Sequence, residues 1–325
     1  MNKTALLFAG QGAQAVGMGK DLAAVFPLAK AWFDRANAAL GYDLAAVCFN
    51  GPEPELTKTE NAQPGIFLVS WVAFELLKER VGVQALACSA ADTLKRELQL
   101  KFDATAGLSL GEFTALTAAG AMSFEDGLRV VRQRGRFMQE ACEATRGGMA
   151  AVIGLDEATT REVCGEAGVT LANLNCPGQI VISGEADSIA KAVELAKTKG
   201  AKRAIALPVA GAYHSPLMAG AQPKLQAELA RIKLSLPVVP VISNVTGQPH
   251  GNAADISARL VEQVTSSVLW EKSMRHLLAQ GFTRFIELGP GTALSGFMKR
   301  IDKGAQILNV ADLASLEATV KALSI

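Results

Sequence analysis

Short apolar strands that alternate with helices constrain the fold of this chain more than any other feature. Residues 4–9 and 104–107 have the composition of buried strands, and each is followed by a glycine-containing turn. Helical patterns run through 21–40, 62–80, 92–100, 112–119 and 124–141. Beyond residue 210 the predicted elements are strands at 239–243 and 285–288, a helix at 270–280, and a last helix after residue 291. This alternation predicts an α/β fold whose parallel sheet is covered by helices on both faces.

Residues 146–210 follow a different pattern. The predicted elements there are strands at 149–154, 169–175, 179–183 and 202–207, and helices at 156–167 and 186–199. The order β-α-β-β-α-β is typical of a ferredoxin-like unit. We therefore expect a ferredoxin-like small domain at 146–210, inserted into a discontinuous large domain of residues 1–145 and 211–325.

Composition argues against several classes of protein. Half of the 325 residues are hydrophobic and the net charge is +1, which suits a large core and disfavours a nucleic-acid binder driven by bulk charge. No apolar run approaches the roughly 20 residues of a membrane span, and the N-terminus does not match a signal peptide. The five cysteines are odd in number and lack C-x-x-C spacing. We therefore expect reduced, mostly buried thiols in a cytoplasmic protein, with no metal and no cofactor.

The sequence G-L-S-L-G at 107–111 matches the pattern G-x-S-x-G between a strand and a helix. That setting is typical of a nucleophile elbow, a sharp turn that presents a serine hydroxyl, here Ser109, and it indicates an α/β-hydrolase-like large domain. The N–H of Leu110 would lie at a helix N-terminus, where it can stabilise an oxyanion. An ordinary Gly/Ser turn is the alternative.

A serine nucleophile needs a base, and the chain contains three histidines. We expect His250 to be solvated in a polar turn, and His276 to be a surface or packing residue of an amphipathic helix. His214 follows the last strand of the small domain, where catalytic side chains often collect, so it is the best candidate base. A hydrogen-bonded structural histidine is the alternative. Because no Asp or Glu completes a triad, a backbone carbonyl can orient the imidazole instead.

Arg134 falls inside the apolar stripe of the helix predicted at 124–141. A guanidinium that faces the interior cannot shed its charge, so it needs an anionic partner. Two partners fit the sequence equally well: an internal salt bridge to Glu112, or a substrate carboxylate held by both arms of the guanidinium.

The segment 10–15 carries a glycine pattern directly after the first strand. Gly10, Gly12 and Ala15 match the dinucleotide-binding pattern G-x-G-x-x-G/A. The residues that follow are a poor helix start, and Asp34, near the distance expected for a ribose-binding acid, lies in a helical stretch. A loop that supplies a second oxyanion N–H at Gln11 is the other interpretation.

Seven motifs occur in order along the chain. They are F-A-G-Q-G-A-Q at 8–14, G-L-S-L-G-E at 107–112, Q-R-G-R-F-M-Q at 133–139, P-G-Q-I-V-I-S-G at 177–184, A-Y-H-S-P-L-M at 212–218, P-V-I-S-N-V-T-G at 240–247 and E-L-G-P-G at 287–291. Together they resemble the malonyl-CoA:acyl carrier protein transacylase family over nearly the whole chain. The resemblance implies transfer of a malonyl group from malonyl-CoA to the phosphopantetheine thiol of acyl carrier protein, for fatty acid biosynthesis.

The resemblance also implies a role for each candidate site residue. Ser109 would carry the malonyl group, His214 would be the base, and the N–H groups of Gln11 and Leu110 would hold the oxyanion. Arg134 would bind the malonate carboxylate, which favours the substrate over the salt bridge. The alternative function is a serine acyl hydrolase acting on acyl-CoA or acyl carrier protein thioesters, which needs the same serine and base.

The resemblance also implies a substrate preference, and the chain departs from the family pattern at three places. An aromatic residue before the histidine and a serine after it accompany malonyl over methylmalonyl selection, and Tyr213 and Ser215 fit that pattern, with Tyr in place of the commoner Phe. Leu108 replaces the histidine usual in the elbow, and Leu269 occupies the position expected for the glutamine that orients the base. The stretch 85–101 is longer than usual, and we expect a surface helix there.

Carrier proteins of this kind are acidic, so a basic rim near the cleft is expected. The cluster Lys299, Arg300 and Lys303 is one candidate, and a solvated helix end is the alternative. The expected partners are malonyl-CoA and acyl carrier protein, with no nucleic acid and no membrane, and a monomer is the default expectation.

Overall fold

A computed structural model describes residues 3–87 and 100–323. The strands are β1 (Lys3–Phe8), β2 (Ala104–Gly107), β3 (Gly147–Ile153), β4 (Thr170–Cys176), β5 (Gln179–Glu185), β6 (Arg203–Ala206), β7 (Val241–Ile242), β8 (Phe282–Leu288) and β9 (Gln306–Val310). They form two sheets, one parallel and one antiparallel, which confirms the predicted fold class. All but the last residue of the helix expected at 92–100, and most of the surface segment expected at 85–101, lie outside the described residues.

The helices precede, follow and connect these strands. They are α1 (Lys20–Val25), α2 (Pro27–Leu40), α3 (Leu44–Asn50), α4 (Glu53–Thr57), α5 (Thr59–Ala87), α6 (Gly111–Ala118), α7 (Phe124–Glu143), α8 (Glu157–Ala167), α9 (Ala186–Thr198), α10 (Gln222–Leu229), α11 (Ala253–Glu262), α12 (Trp270–Ala279), α13 (Ala293–Ile301) and α14 (Leu313–Leu323). A 3₁₀ turn occupies Pro216–Ala221. In the described part of the chain, no helix combines the length and apolar character that crossing a membrane requires.

The parallel sheet has the strand order β7-β2-β1-β8-β9. Leu6 at its centre lies beside Thr105 of β2 and Ile286 of β8. Because helices cover both faces, β1 and β2 are buried almost throughout, which explains their mostly apolar sequences. Phe8 and Gly107 pair at the ends of β1 and β2, so the loops that follow these two strands lie side by side.

The antiparallel sheet has the strand order β4-β5-β3-β6, which together with α8 and α9 is the ferredoxin-like arrangement. Its core is a hydrophobic cluster separate from those of the parallel sheet, and Val152, Val163, Ile182 and Ala192 are fully buried in it. This unit therefore has a core of its own.

Several predicted elements differ from the structure. The single helix expected at 21–40 is two helices, because Pro27 forces Phe26 into an extended conformation and begins α2. The strand expected at 239–243 is reduced to the two residues of β7, and Pro240 within it has no N–H for a ladder. The helix expected to be last is followed by β9 and α14.

Candidate active site

The turn between β2 and α6 holds Ser109 in the left-handed region, with φ of 54°. A residue other than glycine is strained there, and such strain concentrates at functional sites. Glycine is required on both sides, since a Cβ on Gly107 would lie 1.9 Å from the backbone of Gly111, and one on Gly111 would lie 2.3 Å from the Phe8 oxygen. The Asn244 side chain fastens the turn, because Oδ1 accepts the Ser109 N–H at 2.6 Å and Nδ2 donates to the Gly107 oxygen at 2.7 Å.

His214 lies directly beside this serine. Its Nε2 is 2.9 Å from Ser109 Oγ, and its Nδ1 is 2.9 Å from the backbone oxygen of Gln263. Because a carbonyl oxygen only accepts, Nδ1 carries the proton and Nε2 is free to accept the serine proton. Burial, and then the positive charge of Arg134, lower the pKa of His214 to about 4. The imidazole is therefore a neutral base near pH 7.

Gln263 supplies the backbone carbonyl that orients the base, so the assignment of that position to Leu269 is wrong. Gln263 follows the last residue of α11 and is fully buried. Leu269 instead donates its N–H to the Asn244 oxygen at 2.8 Å. The Gln263 side chain also reaches the site, with Nε2 donating to the Ser109 oxygen at 3.0 Å. One residue thus orients the base and braces the turn that carries the serine.

Arg134 is 1% exposed and points at the same serine. Its Nη2 donates to Ser109 Oγ and to Gln263 Oε1, each at 3.0 Å, and its Nη1 donates to Gln63 Oε1 at 2.6 Å. Within residues 3–87 and 100–323, it has no carboxylate at ion-pair distance, so the salt bridge to Glu112 is not formed, and its Nε is buried without a hydrogen-bond partner. Burial lowers the pKa of Arg134 to about 10. The guanidinium is thus a buried cation whose hydrogen-bond partners are all neutral, while the charge of Glu112 attracts it from beyond ion-pair distance.

Glu112 is occupied elsewhere. Its Oε2 accepts from the Asn244 N–H at 2.9 Å and from Gln263 Nε2 at 2.8 Å, and its Oε1 lies 2.7 Å from Nε2 of His250. The expectation that His250 is solvated was wrong, since its side chain is fully buried. The reason is tertiary: the chain folds back after β7, and the His250 N–H bonds the Val241 oxygen at 2.9 Å.

The candidate oxyanion groups lie in the two loops that the sheet places side by side. Among the described residues, the backbone N–H groups of Gln11 and Leu110 have no acceptor. The side chain of Gln11 donates to Thr59 Oγ1 at 3.3 Å. Helix α1 begins only at Lys20, so the segment 10–15 lacks the helix that the dinucleotide pattern requires.

Tyr213 and Ser215, which flank His214, are both buried. The Tyr213 hydroxyl lies 2.7 Å from Thr59 Oγ1, and burial raises the pKa of this tyrosine to about 12. Ser215 Oγ donates to the Ala212 oxygen at 2.6 Å and caps the 3₁₀ turn by accepting the Leu217 N–H at 3.3 Å. Both hydroxyls therefore stabilise the loop that carries the base.

The remaining candidates lie apart from these contacts. Arg300 does not stand free as part of a basic cluster, because its guanidinium donates to Gln179 Oε1 and to the Pro177 oxygen, each at 2.6 Å. The described cysteines, Cys48, Cys142, Cys164 and Cys176, are free buried thiols. Across the described ranges, no group of three or more His, Cys, Asp or Glu side chains could hold a metal ion.

Three residues of the site were not predicted from the sequence: Gln63, Asn244 and Gln263. Asn244 lies within the motif at 240–247, so the family resemblance marked the segment that contains it. Gln63 and Gln263 carried no signal, since a lone glutamine on a helix or at a helix end is typical of a solvated residue.

The description "Acyl transferase domain" belongs to a family model that matches residues 5–316. The chain belongs to the acyl transferase family. It is 44% identical to the malonyl CoA-acyl carrier protein transacylase of Bacillus subtilis, over 99% of this chain and 98% of the relative.

Solved structures of the family agree with this fold. The malonyl CoA-acyl carrier protein transacylase of Coxiella burnetii superposes with a TM-score of 0.92 and 35% identity, covering 100% of this chain and 98% of that one. A malonyl-transacylase solved in complex with a type II PKS acyl-carrier protein superposes with a TM-score of 0.90 and 36% identity, covering 98% of this chain and 99% of that one.

Proposed function

We propose that the chain transfers the malonyl group of malonyl-CoA to the phosphopantetheine thiol of acyl carrier protein, for fatty acid biosynthesis, through a malonyl ester of Ser109. The observation that carries this proposal is Arg134, a buried guanidinium within hydrogen-bond distance of the serine hydroxyl and with only neutral partners. A carboxylated acyl group supplies the missing negative charge. The names of the relatives point to the same reaction.

In the first half of the reaction, Ser109 Oγ attacks the thioester carbonyl carbon and its proton passes to Nε2 of His214. The carbonyl oxygen becomes negative and accepts the N–H groups of Gln11 and Leu110, which have no other acceptor in the described chain. The carbon–sulfur bond then breaks, and the leaving coenzyme A thiolate takes the proton from His214.

In the second half, the phosphopantetheine thiol gives its proton to His214 and its sulfur attacks the carbonyl carbon of the malonyl ester. The bond to Ser109 Oγ breaks, and the serine recovers its proton from the imidazole. Because Gln263 holds Nδ1–H at 2.9 Å throughout, the same tautomer serves both halves.

Selection of malonyl over other acyl groups follows from charge and size. Arg134 favours a carboxylated acyl chain, because a neutral chain leaves the buried cation uncompensated. The buried ring of Tyr213, held by Thr59, is the bulk that excludes an α-methyl group, and Ser215 keeps the adjoining turn in place.

The division into domains is part of the proposal. Residues 146–210 form the small domain and residues 1–145 with 211–325 form the large one. The strands of the antiparallel sheet begin at Gly147 and end at Ala206, which supports these boundaries. We assign no residues to the basic docking surface expected for the acidic carrier protein. Arg300, the candidate from the sequence, is hydrogen-bonded to Gln179 and Pro177 of the antiparallel sheet and its connecting turn.

The decisive experiment is the intact mass of the protein after mixing with malonyl-CoA, acetyl-CoA or methylmalonyl-CoA. We expect a malonyl adduct on the wild type and none on Ser109→Ala. A malonyl adduct that still forms on Ser109→Ala would overturn the assignment of the serine as the nucleophile. Addition of holo carrier protein should discharge the adduct onto the carrier, whereas rapid release of free malonate without the carrier would establish the hydrolase instead.

A further inference from the structure

We propose that His250 is a positioning residue of the active site, which holds Glu112 so that this carboxylate can fix both Gln263 and Asn244 around the nucleophile. His250 touches no reacting atom. It acts through two intervening residues, Glu112 and then Gln263 or Asn244, and its effect on acyl transfer rests on the proposed function.

The contact between His250 and Glu112 is a buried one. Both side chains are fully excluded from solvent, and His250 Nε2 lies 2.7 Å from Glu112 Oε1. Since an ionised carboxylate oxygen only accepts, Nε2 of the imidazole is the donor. The other ring nitrogen, Nδ1, has no hydrogen-bond partner in the described chain, and the nearest carboxylate to it, on Asp255, is 3.9 Å away. The inward hydrogen bond is therefore the one that sets the orientation of this ring.

Glu112, held by His250, in turn fixes the positions of two residues. Its second oxygen, Oε2, accepts from Gln263 Nε2 at 2.8 Å and from the Asn244 backbone N–H at 2.9 Å. A carboxylate with a missing partner on Oε1 is free to rotate toward water or another donor, and rotation withdraws Oε2 from both of these groups. His250 prevents that rotation.

Gln263 and Asn244 are the residues that hold the reacting groups. Gln263 orients His214 through its backbone oxygen, while its side chain contacts both the Ser109 oxygen and Arg134. Asn244 binds the Ser109 N–H. Small displacements of reacting groups have large effects on rate, so a residue linked to Ser109 by three successive hydrogen bonds can control it.

The test compares residues that differ in their ability to donate at this point. His250→Gln keeps a long amide donor that can reach Glu112, His250→Asn has a donor that is too short, and His250→Leu has none. His276→Leu is the matched control, because that histidine lies on α12 outside the network. Two rates are measured on each variant: malonyl transfer, and modification of Ser109 by diisopropyl fluorophosphate, followed by intact mass.

The rate of modification by diisopropyl fluorophosphate measures the reactivity of Ser109 and its base, and it does not depend on which acyl group is the natural substrate. It therefore tests the role of His250 even if the malonyl proposal fails. We expect His250→Leu and His250→Asn to lose about tenfold or more in both rates, with KM for malonyl-CoA changed less than about twofold, and His250→Gln to recover most of the loss. If His250→Leu does not fold, the Asn and Gln pair decides.

Two results would overturn the inference. One is folded His250→Asn protein with wild-type rates, which would make the contact dispensable. The other is an equal loss in the Gln and Asn variants, which would tie the effect to the imidazole or to packing rather than to donation toward Glu112.

Discussion

Two buried groups of opposite charge, Glu112 and Arg134, lie on the two sides of Ser109, and they differ in how fully they are hydrogen-bonded. On one side, Glu112 is fully buried, and donors from Asn244, Gln263 and His250 occupy both of its oxygens. On the other side, Arg134 is equally buried, yet its contacts are all neutral and its Nε has no partner among the described residues. Glu112 attracts Arg134 only from beyond ion-pair distance. A buried charge whose hydrogen bonds are all formed fits a structural role, whereas one that lacks a directly paired carboxylate fits a site that binds a ligand of the opposite sign.

The comparison also separates stability from activity. Removal of the Glu112 side chain strips hydrogen bonds that exist in the free protein, so it should damage the fold. Removal of the Arg134 side chain also strips hydrogen bonds, to Gln63, Gln263 and Ser109, but it relieves the free protein of a buried charge that no carboxylate pairs with. Under the proposed function it should therefore damage selectivity more than stability.

Glu112→Ala should give the largest change. It leaves the N–H of Asn244 and the His250 ring without an acceptor and removes one of the two acceptors of the Gln263 amide. We expect a loss of about 3–5 kcal/mol in the free energy of unfolding. Urea denaturation measures it, with Glu112→Gln as the control, since that variant keeps one acceptor oxygen and should lose less. An alanine variant as stable as the wild type would end the distinction between the two sides.

Arg134→Ala should weaken malonyl transfer by about 1.5–3 kcal/mol, because it removes charge-assisted hydrogen bonds to the carboxylate, while acetyl transfer falls much less. Kcat/KM for the two acyl groups measures the difference. Arg136→Ala is the matched control, since Arg136 is exposed on the same helix and pairs with Glu140. Equal losses for both acyl groups would contradict carboxylate binding.

The pH dependence of Ser109 modification sharpens the same contrast. Because the pKa of His214 is lowered to about 4, the rate should stay level near neutral pH and fall as pH drops through about 4. Arg134→Met removes a positive charge that lowers this pKa, so the acid limb should move to higher pH. An acid limb near the ordinary histidine pKa in the wild type would contradict the burial of the base.

The same pKa shift has a consequence for stability. Unfolded His214 binds a proton below its ordinary pKa of about 6.5, whereas the folded residue does so only below about 4. Its contribution to stability is therefore complete above about pH 6.5 and is lost as pH falls toward 4.

Tyr213→Phe should give the smallest change. It removes the hydroxyl that contacts Thr59, and a single buried hydrogen bond is worth about 0.5–1.5 kcal/mol of stability. The ring, which we propose excludes an α-methyl group, remains. Thermal denaturation and the ratio of malonyl to methylmalonyl transfer measure the two effects. Tyr42→Phe is the control, since its hydroxyl contacts Asn61 away from Ser109. A large drop in the malonyl ratio would assign the hydroxyl itself to selection.

Much of the fold was predictable because its elements have strong local signals. The strand, turn and helix around Ser109 lie where the sequence placed them, and Arg134 is buried as its place in an apolar stripe predicted. The histidines were harder to interpret. His250 was expected in water, and only the return of the chain after β7 shows that its side chain is enclosed.

The amino-acid sequence by itself determined the alternating strands and helices, the sharp turn at Ser109 and the apolar face that buries Arg134, because these depend on residues near one another in the chain. Only the tertiary structure decided which carbonyl orients His214 and which donors enclose Glu112. Those partners lie more than 100 positions from Ser109 in the chain, and sequence spacing carries no information about contacts that form only when separate elements pack.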